Sequence, residues 1–327
     1  MEAGLPTFGD IESSQRRLRG RAVTTPLVCS PEVERRIGVR TLLKVETMQR
    51  TGTFKFRGAC AFISRIPEAE RGAGVVAYSS GNHAQGVAAA ARLFGIPATI
   101  VMPDDAPSVK LDRTKALGAE VVTYDRRRES REEIGEALAG ERGAILIPPY
   151  DHPWTIAGQG TVGLEIARQC EAEGEAPDAV LVPCGGGGLT AGIALALERL
   201  VPAARVWTVE PAGFDDHARS FREGRRLAND PTPPPSMCDA LLAPTPGEIT
   251  FQITRRLVAG GLVVADDEVR SAMRFAFEHL KLVLEPGGAV ALAALLSGRL
   301  PIASGIVVAV LSGGNVAPGL FAEVIAD

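Results

Sequence analysis

Apolar residues along this chain fall into two alternating patterns. Short continuous runs at 41–46, 74–78, 98–102, 120–124, 179–183, 205–210, 262–265 and 305–311 are rich in Val, Ile and Leu and too brief for helices. They predict strands buried on both faces. Between them, Ala- and Leu-rich stretches at 82–94, 108–117, 156–170, 190–200, 267–281 and 289–296 repeat their apolar positions at helical spacing. Strands alternating with helices make βαβ units, so the expected fold class is α/β, with parallel-rich twisted sheets flanked by helices. Pro148, Pro149 and Pro153 interrupt the pattern after the run near Ile145. They suggest a crossing between a small domain at 50–150 and a larger one assembled from 1–49 and 151–327. The prolines at 231–235 read as an internal loop, because the pattern resumes beyond them.

Composition narrows the partners. A hydrophobic share of 46% against 23% charged, over 327 residues, suits a soluble globular enzyme with room for two cores. Net charge is -4 with no dense basic patch, which argues against a nucleic-acid partner. Arg126, Arg127 and Arg128 are followed by Glu129, Glu132 and Glu133, a charge-paired helix start. No apolar run reaches membrane-spanning length, and Asp10, Glu12, Arg16, Arg17 and Arg19 stand where a signal peptide would need an apolar core. The five cysteines are widely spaced without a C-x-x-C pair, so neither a disulfide framework nor a zinc site is expected. The expected compartment is the cytoplasm.

Six segments carry candidate chemistry. Lys55 lies between Phe54 and Phe56, just after a Gly-Thr turn. Aromatic neighbours disfavour the ammonium form, and a neutral lysine amine condenses with aldehydes. A surface lysine whose stem covers apolar neighbours is the plain alternative. Residues 79–83, Ser-Ser-Gly-Asn-His, join a strand to a helix and offer N–H groups and polar side chains to an anion, or simply a helix cap. Four glycines, Gly185, Gly186, Gly187 and Gly188, precede the helix that starts near Thr190, a loop able to wrap a phosphate. Glu210 and Asp216 bracket a short turn that suits a hard cation or a helix cap. Residues 285–289 and 311–315 are glycine turns, the second placing Ser312 at a strand's carboxyl end. A rival reading exists: Gly186, Gly188 and Ala191 with Glu210 match a dinucleotide fingerprint and would mark an NAD-dependent dehydrogenase. It leaves Lys55 and residues 79–83 without a task.

In this order the motifs resemble those of the fold-type II pyridoxal-phosphate enzymes, specifically the threonine/serine dehydratase and serine racemase group, over nearly the whole chain. The resemblance implies a tryptophan synthase β-like fold and pyridoxal 5'-phosphate held by Lys55 as a Schiff base, with Phe54 against its ring. It further implies that Asn82 bonds the ring hydroxyl, that Gly185, Gly186, Gly187, Gly188 and Leu189 hold the phosphate, and that Ser312 faces the pyridine nitrogen. Ser79, Ser80, Asn82 and His83 would grip the substrate carboxylate, with Arg131 a helper. Glu210, Asp216 and the carbonyl of Phe214 would bind Mg²⁺ or Ca²⁺. A homodimer is the expected assembly. With no regulatory domain after Asp327, feedback by isoleucine is not expected.

The implied reaction is elimination. A serine opposite the ring nitrogen stabilises a carbanion less than an aspartate would, which favours prompt loss of a β-hydroxyl. Lys55 is the natural base, the phosphate is placed to protonate the leaving hydroxyl, and the products are a 2-keto acid and ammonia. Ser80 stands where many threonine dehydratases carry alanine and where serine racemases use a serine as second acid/base, so racemisation is the alternative within the family. Residues 236–243, Ser-Met-Cys-Asp-Ala-Leu-Leu-Ala, depart from the family's Thr-Ile-Ala-Asp-Gly pattern. Their apolar character places threonine or a bulkier substrate such as phenylserine ahead of serine. A non-catalytic carrier of the same cofactor is the remaining class.

Overall fold

The structure, a computed structural model, describes residues 4–79, 81–106 and 108–326. Its strands are β1 (Leu27–Cys29), β2 (Arg40–Val45), β3 (Val75–Tyr78), β4 (Ala98–Pro103), β5 (Glu120–Tyr124), β6 (Ile145–Leu146), β7 (Ala179–Pro183), β8 (Arg205–Pro211), β9 (Val258–Val264) and β10 (Ile306–Leu311). They form two sheets, one ordered β1-β2-β10-β7-β8-β9 and the other β5-β4-β3-β6. All neighbours pair in parallel except β1, which runs antiparallel to β2 at the edge. The chain is therefore α/β as its apolar spacing predicts. The continuous runs of β7 and β10 are buried along nearly their whole length, as strands covered on both faces must be. No helix among the described residues is long and apolar enough to cross a membrane.

Several elements depart from the spacing-based expectation. The stretch 156–170 is two helices, Pro153–Gln159 and Thr161–Ala172, joined at Gly160. A Cβ at Gly160 would come within 2.7 Å of Ile11 and 2.9 Å of the Gly192 carbonyl, so the break sits at a close crossing. The stretch 267–281 begins as the helix Asp266–Phe275 and widens into a π turn that ends at Lys281, with φ +58°. Lys55 does not trail a loose turn: it is the first residue of a helix, Lys55–Ile63. Thr51 and Gly52 ahead of it are left-handed, with φ of 63° and 74°.

Behind that helix start lies a buried charge network. Arg57 donates to Glu46 through Nε and Nη2, both at 2.8 Å, and to Glu165 at 2.7 and 2.8 Å. Lys44 donates to Glu165 and to the Thr25 carbonyl, each at 2.7 Å. These four side chains are at most 5% exposed, so two cations and two carboxylates neutralise one another inside the protein. The network ties the helix carrying Lys55 to β2 and to helix Thr161–Ala172. Removing one member strands the others without water. Arg57→Met should lower the unfolding free energy by about 3–5 kcal/mol, measured by urea denaturation. A loss below about 1 kcal/mol would show that the network is not closed to solvent.

Candidate active site

The carboxyl ends of β3 in one sheet and of β7 and β10 in the other converge on a single cleft, enclosing about 1130 Å³ with its solvent mouth. Ligand sites in α/β proteins form at such ends. Lys55 is held there by its backbone neighbours: Phe54 donates its N–H to the Ser312 carbonyl at 3.1 Å, and Thr53 bridges Gly313. The Lys55 amine donates to the Pro149 carbonyl at 2.9 Å and lies 5.4 Å from the centre of the Phe54 ring. Burial brings its pKa down to about 8, against a smaller opposing pull from Glu285. Lys55 thus holds a nucleophilic amine within reach of neutral pH.

The glycine loop opens helix Gly188–Leu200, and its glycines have steric reasons to be there. A Cβ at Gly186 would collide with the Tyr150 ring, and one at Gly188 would lie 3.0 Å from the Tyr150 Cβ. At Gly185 it would meet the Leu241 Cα at 3.1 Å, and at Gly187, where φ is +90°, the His217 ring at 2.7 Å. Thr250 pins the loop by donating to the Gly186 carbonyl at 2.7 Å. The result is bare backbone at a helix N-terminus, a cradle for an anion. Leu189 packs beneath it in the core.

From the other sheet comes Asn82, first residue of helix Asn82–Phe94. Its Nδ2 donates to Glu285 Oε1 at 2.6 Å, and its Oδ1 accepts from Asn315 at 2.9 Å. Ser79 accepts the Gly81 N–H at 3.2 Å. His83 is buried against the Ile147 carbonyl at 2.9 Å; burial, then Lys55, lower its pKa to about 3, so the imidazole is neutral. Arg131 starts helix Arg131–Arg142, pairs with Glu132 at 2.8 Å and lies 5.6 Å from the Tyr78 ring centre. Phe54, Lys55, Ser79, Asn82, His83, Arg131, the four loop glycines, Leu189 and Ser312 all line the one cleft. Ser80 lies outside the described residues.

Glu210, Phe214 and Asp216 do not line the cleft, while His217, next to Asp216 in sequence, lies against Gly187. Glu210 accepts the N–H groups of His217 and Ala218, both at 2.8 Å, and so caps helix Asp216–Glu223 from a neighbouring strand. Burial and then Asp216 push its carboxyl well above the usual range, while burial lifts Asp216 to about 7. Asp216 Oδ1 accepts from Asn229 at 2.8 Å, and Oδ2 is buried without a partner. Among the described residues, no three His, Cys, Asp or Glu side chains cluster as metal ligands. The placement of Glu210 overturns the dinucleotide reading: a fully buried carboxylate engaged by two backbone N–H groups is not free to bond a ribose.

Lys110, Tyr150, Asp239 and Glu285 also line the cleft, outside the site residues expected from the sequence. Lys110 and Asp239 form an ion pair at 2.5 Å across a sequence separation of 129. No local pattern announces such a pair. Glu285 had a signal, since it opens the Pro-Gly-Gly turn. That carboxyl is buried to 5% exposure, and burial, then Asp239, lift its pKa to about 7.

Comparison with known proteins supplies the context. A family described as pyridoxal-phosphate dependent enzyme matches residues 19–313. The chain is 44% identical to L-threo-3-hydroxyaspartate ammonia-lyase of Pseudomonas sp, covering 95% of this chain and 96% of that protein. It is 41% identical to the enzyme of the same name in Saccharomyces cerevisiae, covering 95% and 94%. The structure of maize serine racemase superposes with a TM-score of 0.92 at 36% identity, covering 99% of this chain and 98% of that one.

The lowered Lys55 pKa makes a direct test possible. In cofactor-stripped protein, reductive methylation of Lys55 should rise with an apparent pKa of about 8, whereas surface lysines follow about 10.4. A Lys55 profile that coincides with the surface lysines would refute the desolvated amine.

Proposed function

The chain belongs to the pyridoxal-phosphate dependent enzymes, and we propose that within them it is an ammonia-lyase acting on a 3-hydroxy amino acid. The observation that carries this reading is the Lys55 amine, drawn towards neutrality in the same cleft as a glycine cradle and Ser312. The residues fit the cofactor: the bare backbone of Gly185, Gly186, Gly187 and Gly188 at a helix N-terminus suits a phosphate. Phe54 and Asn82 would flank the ring, and Ser312 would meet its nitrogen. When bound, the cofactor supplies an electron sink that acidifies the substrate's α C–H. Lys55 then takes the α-proton. Ser79 and the N-terminus of helix Asn82–Phe94 hold the α-carboxylate, as helix starts hold anions. Loss of the β-hydroxyl and hydrolysis of the resulting enamine give a 2-keto acid and ammonia.

For the substrate we place 3-hydroxyaspartate ahead of threonine. Ala240, Leu241, Leu242 and Ala243 do lie on the cleft wall, but so do the cations Lys110 and Arg131, which suit a second carboxylate. The relatives named for 3-hydroxyaspartate support the same choice. Serine racemisation is the second reading, supported by the likeness to maize serine racemase and by the presence of Ser80. As for a cation, the unpartnered Asp216 Oδ2 beside Glu210 supports a Mg²⁺ or Ca²⁺ ion there, which would relieve two adjacent buried carboxyls, Glu210 sharing its oxygens with the helix and the Phe214 carbonyl completing the set on this reading.

A panel of 3-hydroxyaspartate, threonine, serine and phenylserine, scored for keto acid and for enantiomer, tests both readings. Keto acid should dominate, with 3-hydroxyaspartate the best substrate; D-enantiomer as main product would favour the racemase. Arg131→Ala should raise KM for 3-hydroxyaspartate by about tenfold or more, in line with loss of a charged hydrogen bond, and disturb serine far less. An equal rise for both would assign Arg131 to the α-carboxylate instead. Chelation with EDTA should lower the thermal midpoint of the holoenzyme, and Glu210→Gln should remove that response. A midpoint indifferent to EDTA argues against the cation.

A further inference from the structure

Glu285 is a buried titratable group of the cleft without a task in the elimination outlined above. It occupies the N-cap position of helix Pro286–Leu296, yet its side chain makes no capping bond. It turns instead into the cleft, on the wall shared with Lys55 and Ser312. Two fixed points hold it there. Oε1 accepts from Asn82, on the helix entering from the other sheet, and it occupies the space that a Cβ on Gly313 would take. Gly313 is thus required as glycine by the carboxyl beside it. Among the described residues Oε2 has no hydrogen-bond partner.

The departing group of a 3-hydroxy amino acid is a hydroxyl, and it needs a proton. Hydroxide is the conjugate base of water, with a pKa of about 15.7, and it leaves slowly unless protonated as the Cβ–O bond breaks. We propose that Glu285 is the acid that protonates this hydroxyl, an assignment that rests on the elimination reading. The step balances. The Lys55 amine takes the α-proton, the freed electron pair forms the Cα=Cβ bond, and the Cβ–O pair leaves with oxygen. That oxygen takes the Glu285 proton and departs as water. Lys55 is left as an ammonium and Glu285 as a carboxylate, and transfer of one proton between them resets the site.

The surroundings of Glu285 suit the role. Burial and Asp239 favour its neutral form, whereas the Asn82 bond, Lys110 and Lys55 favour the charged one, and Lys110 is itself paired to Asp239. Environments that raise a carboxyl while lowering an amine in one cleft are how a protein assigns acid and base at neutral pH. The phosphate held by the glycine loop is the competing donor, and leaving-group chemistry separates the two.

The test compares two substrates on wild type and on Glu285→Gln, which keeps the size and can still accept from Asn82 but carries no acidic proton. Serine loses hydroxide; β-chloroalanine loses chloride, which needs no proton. Glu285→Gln should lower kcat on serine by about 10²–10⁴-fold, the usual range for a lost general acid, and leave β-chloroalanine within about threefold. Retained chloride elimination also reports a folded variant. An equal fall on both substrates, or no fall on serine, overturns the assignment while leaving the elimination reading intact. A wild type that releases keto acid from neither serine nor 3-hydroxyaspartate sinks that reading, and the assignment with it. A readout independent of turnover is the Lys55 methylation profile of the cofactor-stripped protein. Without the carboxylate, the profile should move to lower pH; an unmoved profile would show that Glu285 does not act on the amine.

Discussion

A lysine amine near neutrality must be kept from water without being allowed to collapse into a core, and the placement of Lys55 meets both demands. Its neighbours belong to different interiors: Phe54 packs into the cluster under the large sheet, and Phe56 into the cluster under the small one. Lys55 therefore sits on the seam. Arg57, two residues further along, fastens the same helix to Glu46 and Glu165 inside the protein. The seam gives access to substrate, and the charge network supplies the rigidity that a loop could not. The depressed amine pKa follows from this position rather than from any single neighbour, since its largest cause is burial.

The same seam explains why so many cleft groups work in pairs drawn from both sides. Asn82 reaches across to Glu285 and Asn315, and Lys110 reaches across to Asp239. Asn315 also holds the Thr51 carbonyl at 2.8 Å, so the left-handed turn before Lys55 is tied to the Asn82 amide. A shift of one side relative to the other would disturb the lysine, the amide and the carboxyl together. Precise relative placement of this kind is what general acid–base chemistry requires.

Much of this was legible in the sequence, for a definite reason. Strands buried on both faces write continuous apolar runs, and glycine loops at strand ends write themselves as Gly185 to Gly188 and as Gly313 beside Ser312. Local patterns therefore located the cleft. What they could not show is which distant side chain meets which. Lys110 and Asp239 are ordinary surface residues until the fold joins them. Glu285 looked like the start of a glycine turn until Asn82 was seen against it. Tyr150 was hidden within a proline-rich crossing, although its ring is the reason Gly186 has no side chain. Glu210 misled in the opposite direction: its spacing fits a dinucleotide fingerprint, but the first turn of helix Asp216–Glu223 donates N–H groups to its carboxyl.

Charge in the cleft bears on the choice of substrate. Lys110 is the more sheltered member of its ion pair, with 18% of its side chain exposed against 53% for Asp239. The aspartate can swing into water at little cost, whereas the lysine cannot follow it. A half-exposed ion pair of this kind contributes little stability, about 1 kcal/mol at most, so it is easily exchanged. A substrate bringing a second carboxylate to that wall would replace Asp239 at Lys110 and leave the lysine paired throughout. A threonine methyl would offer the ammonium nothing and would leave Asp239 in place. On the proposed reading, the Asp239 carboxylate stands where the side-chain carboxylate of 3-hydroxyaspartate would lie.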